Sequence, residues 1–213
     1  MQTEPELLIN NPALTLDDLI GDARRVGRAL LAKAARIKDT DRRFLVLLPG
    51  SPGTGKSTVA KMLADSLVES EHDIVAVSGT KVNVDLVSQW MNDLRIGTLS
   101  LGWQVRLIEE IDMVPAIAQT RMLDLIDRLP PKVAIIGTSN KGQEDITERF
   151  QTRFQLWEVE APTSRDILNF LYERWPQVPH EALENIATSS AGNVRVALHE
   201  LQTWLDLNGG ACE

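Results

Sequence analysis

Cysteine is almost missing from this chain: Cys212, next to the last residue, is the only one among 213. A single thiol closes no internal disulfide, and no Cys/His spacing suited to a metal is present. A reducing, cytoplasmic setting is the expectation. Aromatic residues are also few, at 5%, which predicts a mostly aliphatic core. No apolar run approaches the roughly 20 residues a membrane span requires, so no membrane partner is expected. The opening stretch, Met1 to Asn11, has neither the basic nor the apolar region of a secretory signal. Excess basic charge is lacking too: 22 Lys and Arg face 30 Asp and Glu, for a net charge of −8. That argues against a surface coated for nucleic acid, while leaving open a local patch repeated around an assembly.

What is present is an ordinary globular composition, 43% hydrophobic and 24% charged. The length suits one α/β domain with a small helical appendage. Residues 1–14 are polar and contain proline, and are expected to form a flexible arm. Thr15 is a candidate N-cap, with Asp17 and Asp18 in the first turn and Gly21 as an interruption. From Asp22 to Ile37 the helical period puts Val26, Leu30, Ala34 and Ile37 on one face, with Arg24, Arg25 and Arg28 towards the other. Phe44 to Leu48 is a short continuous apolar run, the mark of a strand buried on both faces.

The same reading predicts helices over Ser57–Leu67, Asn83–Leu94 and Ala116–Leu129. It predicts strands over Ile74–Val77, Gln104–Ile108, Val133–Gly137 and Phe154–Val159. Strands alternating with helices imply a parallel sheet sandwiched by helices. After Pro162 only helices are expected: Thr163–Arg174, His180–Ser189 and Asn193–Leu207, with Gly209-Gly210 as a stop. The expected organisation is an arm at 1–14, a parallel-sheet α/β domain at 15–161 and an all-helical domain at 162–213.

Gly50-Ser51-Pro52-Gly53-Thr54-Gly55-Lys56-Ser57, with Thr58 just beyond, fits the form G-x-x-x-x-G-K-[ST]. Glycines let successive backbone N–H groups curl inward onto phosphate oxygens. The helix that follows adds its N-terminal dipole. Lys56 offers a charge to the β- and γ-phosphates and Ser57 a hydroxyl to Mg²⁺. A chance glycine-rich turn is the plain alternative. The position after an apolar strand and before a helix argues against it.

Val105-Arg106-Leu107-Ile108-Glu109-Glu110-Ile111-Asp112 ends a buried strand in acidic residues. In a phosphate-binding fold that strand end lies beside the phosphates. One acid there holds Mg²⁺ and its water shell, and a second polarises the attacking water. Glu109, Glu110 and Asp112 are the acids available there.

These motifs, taken in order, resemble the AAA+ superfamily and within it the clamp-loader clade, from Leu16 to Leu207. Leu19-Ile20-Gly21 is similar to the family's adenine-bordering segment, which implies a cofactor-binding role for Ile20 and Gly21. Gly50–Ser57 resembles Walker A, and Leu107–Asp112 resembles Walker B, which implies Glu109 as the Mg²⁺ ligand beside Ser57 and Glu110 as the residue that polarises the attacking water. Ala118-Gln119 through Asp127 resembles the helix that follows Walker B. Thr138-Ser139-Asn140 resembles sensor 1, whose Asn orients the attacking water. Thr152-Arg153-Phe154 resembles the box whose arginine reaches a neighbouring subunit's site, and Arg149 is a second candidate for that finger. Gly192-Asn193-Val194-Arg195 resembles sensor 2, whose arginine touches the γ-phosphate.

The resemblance implies ATP with Mg²⁺, self-association or related subunits in a ring or filament, and a DNA-replication accessory that loads a sliding clamp or a helicase. Three departures stand out: Glu109 where the family has Asp, Thr152 where Ser is usual, and no collar domain in this sequence. Two other classes stay open. One is an ATP-driven remodeller or switch acting on a protein without DNA. The other is a P-loop kinase, against which the sensor-like Asn140 and Arg195 argue.

Overall fold

The computed structural model describes residues 15–96, 102–141 and 148–208. The expected arm, the Gly209-Gly210 stop and Cys212 lie outside them. The described strands β1 (Phe44–Pro49), β2 (Ile74–Ser78), β3 (Gln104–Glu109), β4 (Val133–Ser139) and β5 (Gln155–Leu156) form one sheet. Its order is β2-β3-β4-β1-β5, and every pairing is parallel. Helices α1 (Gly21–Ile37), α2 (Lys56–Leu67), α3 (Val84–Ile96) and α4 (Ala116–Asp127) cover it.

Alternation along each strand sorts the core into two layers. Val46 and Leu48 of β1, Val105 and Leu107 of β3 and Ile136 of β4 pack against Val26 and Leu30 of α1 and Val59 and Leu63 of α2. Leu47, Ile108 and Ile135 point the other way, against Val87 and Trp90 of α3 and Met122 and Ile126 of α4. The central strand β4 is buried along its whole length. The edge strand β2 is only half covered. Full burial of an aliphatic side chain contributes roughly 1.5–3 kcal/mol, so the two layers supply most of the drive to fold.

Three further helices, α6 (Ser164–Arg174), α7 (His180–Ser189) and α8 (Val194–Asn208), share a separate core of Ile167, Leu171, Trp175, Leu183, Ala197 and Leu201. Thr163 opens α6 with a capping box: its hydroxyl accepts from the Asp166 N–H at 3.1 Å, while its own N–H donates to the Asp166 carboxylate at 2.9 Å.

Four local expectations are corrected. Thr15 opens a separate 3₁₀ turn, Leu16–Asp18, and Gly21 starts α1 with φ +54° instead of interrupting it. A short helix, α5 (Glu148–Gln151), precedes β5 where the sequence pattern predicts none. Helix α4 ends at Asp127, two residues short of the expected Leu129. The fifth strand is regular only over Gln155–Leu156, not Phe154–Val159. The ladder continues one-sidedly: Trp157 N–H donates to Leu47 O and Val159 N–H to Pro49 O, each at 2.9 Å. In a parallel ladder the return bond to the Trp157 carbonyl belongs to residue 49, and Pro49 has no N–H to give.

Candidate functional site

At the carboxyl ends of β1, β3 and β4, between them and α8, lies a cleft of about 900 Å³. Open α/β sheets bind ligands in that place, and the cleft is roomy enough for a nucleotide. Pro52, Gly53, Gly55, Lys56, Ser57 and Thr58 line one side and Glu109, Glu110, Thr138, Asn140 and Arg195 another; from there the cleft runs on between α2 and the edge strand β2, past Lys61, Asp65, Glu71 and Ile74.

The loop leaves β1 at Gly50 and enters α2 at Lys56. Its tightest point is Gly53, at φ +74°. A Cβ there would lie 1.9 Å from Oδ1 of Asn193 and push that side chain aside, and the positive φ by itself favours glycine. Val194 N–H donates to the Gly53 carbonyl at 3.1 Å, joining the two directly. Inside the loop, the Thr54 hydroxyl donates to Ser51 O at 3.0 Å and Lys56 Nζ to the same carbonyl at 2.6 Å. Gly50, Ser51 and Thr54 shape the loop from behind, and Leu19 and Ala23 back Gly55.

Lys56 is only 4% exposed. Burial pulls its ammonium down to about 8, against the fields of Asp112 and then Glu110, which pull it up. A buried cation held by one carbonyl, with no carboxylate in contact among the described residues, is prepared for an anion from outside.

Across the cleft, β3 ends at Glu109 and the chain bends sharply at Glu110, whose φ of +53° and ψ of +53° are left-handed. A non-glycine residue there is strained and is held by its surroundings. Thr138 Oγ1 accepts from the Glu110 N–H at 3.2 Å, and Asn140 Nδ2 donates to Glu110 Oε1 at 2.9 Å. Gly79 lies so close behind the bend that a Cβ would fall 2.1 Å from the Glu110 carbonyl oxygen. Nearby, Asp112 Oδ1 is buried with no partner among the described residues. Asp112 does not itself line the cleft; it reaches it only through its field on Lys56. Hydroxyl and carboxylate oxygens from Ser57 and Glu109 are the hard donors Mg²⁺ prefers.

Other expected site residues lie apart. Ile20 and Gly21 line a separate depression of about 390 Å³ with Asn169 and Phe170 of α6. Arg149 and Arg153 are at the opposite end of the sheet. Gln155 stands in register with Val46, so Arg153 is level with the start of β1, while the phosphate loop leaves its end. At about 3.3 Å per residue, the length of β1 separates them by roughly 20 Å. Arg153 is held there by Asp127, through Nε and Nη2 at 2.8 Å each.

A family model for the ATPase family associated with various cellular activities (AAA) matches residues 46–159, more than half of the chain. The chain belongs to the AAA family. That span begins in β1 and runs through the phosphate loop, the acidic bend and Asn140 to Val159. Among solved structures, this AAA protein is similar to the Thermotoga maritima RuvB Holliday junction branch migration motor: 20% identity, TM-score 0.74, covering 93% of this chain and 66% of that one. It is similar also to a point mutant of that Thermotoga maritima motor, at 19% identity and TM-score 0.74, over 94% and 67% of the two chains. Against a second point mutant of the same motor the values are 19% and 0.71, over 99% and 68%. The chain thus spans just under two thirds of the first of these motors, and the likeness is one of fold. Curated protein sequences gave no significant match. No helix among the described residues is long and apolar enough to cross a membrane.

Sequence reasoning does not reach Gly79, the Thr138 bond to Glu110 or the seat of Asn193 on Gly53. Each depends on backbone approach between segments far apart in the chain. A glycine directly after a strand, as at Gly79, is the one signal for them in the sequence.

Proposed function

We propose that this chain binds ATP with Mg²⁺ and hydrolyses the γ-phosphate at interfaces between copies or related subunits arranged head to tail. We further propose that it serves DNA replication as an accessory of the clamp- or helicase-loading kind. The observation that carries the first proposal is the cleft in which Lys56 and the Glu110–Asn140 pair face each other.

In this reading residues 15–161 form the ATPase domain and 162–213 the lid. The backbone N–H groups from Gly50 to Ser57, at the N-terminus of α2, cradle the phosphates. Lys56 exchanges the Ser51 carbonyl for phosphate oxygen, and the base reaches past the loop into the neighbouring depression of Ile20 and Gly21, whose Leu19 also backs Gly55. Ser57 and Glu109 hold Mg²⁺, which when bound neutralises charge on the transferred group. Glu110 accepts a hydrogen bond from the attacking water, with its carboxylate oriented by Asn140. The donation from Asn140 Nδ2 keeps that carboxylate turned into the cleft. Arg195, at the start of α8, meets the γ-phosphate and links hydrolysis to movement of the helical segment. Arg153, or Arg149 beside it, comes from the adjacent copy, because a strand's length separates it from its own loop. An arginine so supplied accelerates transfer by about 10³ or more.

DNA action is supported by the clamp-loader resemblance and by a fold shared with a branch migration motor. The net charge of −8 favours a second reading, an ATP-driven remodeller of a protein partner without DNA. A kinase is disfavoured, because the Glu110–Asn140 pair is suited to orienting water.

The test is ATP hydrolysis against protein concentration, for the wild type and Arg153→Ala, with and without primed DNA. The expected result is specific activity that rises with concentration and collapses in the variant while ATP binding persists. A further rise with DNA supports the replication role, and stimulation by a protein alone supports the second reading. Activity independent of concentration, with an unaffected variant, would overturn the shared site.

A further inference from the structure

Asp127 is the last residue of α4, where the negative end of the helix dipole disfavours a carboxylate. Its surroundings assign it no task in the helix. Arg128 pairs back to Asp124 at 2.9 Å, and Arg43 donates to the Asp127 carbonyl at 3.3 Å. The Asp127 side chain is spent on Arg153: Nε donates to Oδ1 and Nη2 to Oδ2, both at 2.8 Å. Nη1 of Arg153 donates to the carbonyl of Arg149 at 3.2 Å.

An arginine side chain has five N–H donors. Among the described residues the three bonds leave two without a partner, one on each terminal nitrogen, and terminal N–H groups of this kind can fork onto an anionic group. Side-chain exposures of 32% for Arg153 and 55% for Asp127 put the pair at the surface. An exposed ion pair adds little to stability, and although a bidentate geometry adds to that, the helix-end penalty on Asp127 subtracts from it, so stability alone is a weak account of the two-point grip. Fixing a flexible arginine before it meets its target removes an entropic cost from the encounter. The Arg153 hydrogen bonds also hold the Asp127 carboxyl below its usual range, so it is charged at neutral pH.

We propose that Asp127 is the positioning residue for Arg153, aiming its free fork at the γ-phosphate of a nucleotide held by the adjacent copy. This rests on the reading of Arg153 as the arginine supplied in trans. Asp127 acts through Arg153 and touches no substrate.

The experiment uses the full chain at concentrations where specific activity has levelled off. Asp127→Ala is expected to lower kcat about ten- to a hundredfold, with ATP affinity and melting temperature unchanged. Asp127→Asn, which keeps the shape and loses the charge, falls between, and Asp127→Glu recovers part of the loss. In an Arg153→Ala background, Asp127→Ala adds nothing.

The decisive arm mixes Asp127→Ala with Lys56→Ala. The first has an intact nucleotide site and a loose arginine; the second has a broken site and a well-held arginine. Activity restored on mixing supports the proposal, because a merely structural role for Asp127 would stay within its own copy. If Arg153→Ala collapses activity while Asp127→Ala does not, raises it, or is not rescued by mixing, the positioning role is overturned and the trans arginine stands. If Arg153→Ala has no effect, the trans reading fails first and the positioning role with it.

Discussion

The two ends of the parallel sheet are built on opposite principles. At the carboxyl end, Lys56 is buried, Gly53 is wedged against Asn193, and the strained bend at Glu110 is held by Thr138 and Asn140. The groups that shape that end are held by partners from the same chain, apart from what a ligand would satisfy. At the amino end Arg153 and Asp127 stand at the surface, held to each other and open to solvent. In the reading proposed above, the first end receives a ligand and the second is presented to an adjacent copy. On that reading a motif at the receiving end can be understood from one copy, and one at the presenting end cannot.

The contrast breaks most visibly at Lys56. Lys56→Ala removes the buried cation, and hydrolysis is expected to fall about 10²–10³-fold, as phosphate-release assays would measure. The fold should persist, since the loop's glycines and the two core layers are untouched. A loss no larger than a few-fold would mean that the backbone cradle alone carries the phosphates.

Gly79→Ala tests whether the receiving end is as tightly built as its contacts indicate. The new Cβ meets the Glu110 carbonyl, backbone against backbone. Such overpacking costs about 1–3 kcal/mol, read as a shift of the urea midpoint. Turnover should fall as well, because the bend that aims Glu110 must move. An unchanged midpoint would show that the bend yields freely.

The gentlest probe is pH. Lys56 sits near 8 without ligand, and a bound phosphate raises it towards or above its ordinary value. Binding therefore takes up a proton above about pH 8. ATP affinity is full below that pH and is expected to weaken by up to about tenfold per unit as pH rises through it. Calorimetry at pH 8.5 in buffers of different ionisation heat reads the proton directly. No proton uptake there would place Lys56 outside the phosphate site.

The receiving end is legible in the sequence because its chemistry is local. Gly50 to Ser57 is one unbroken stretch, and Glu109-Glu110 sits at the end of a run whose apolar pattern marks a strand. The parallel sheet and its helical cover follow from alternation of elements. The shortening of β5 is not legible, since it depends on the missing N–H of Pro49 in a different strand. The Asp127–Arg153 pair is not legible either. The residues are 26 positions apart, and only the packing of α4 beside the start of β5 makes them neighbours. Ile20 and Gly21 show the converse. The resemblance assigns them to adenine, and they line a depression beside α6 that is distinct from the main cleft. The AAA family is readable from motif order, whereas the clamp-loader branch rests on resemblance alone.

The bond from Val194 to Gly53 has a mechanical meaning. Loop and helical segment are coupled there like two levers sharing a pin, with the Asn193 side chain filling the space that any larger residue at position 53 would claim. The pin leaves almost no slack. Were the three helices to turn by more than the stretch of one hydrogen bond, they would either pull the loop with them or break that bond. In the proposed reading this contact is where the shape of the phosphate cradle and the angle of the helical segment meet.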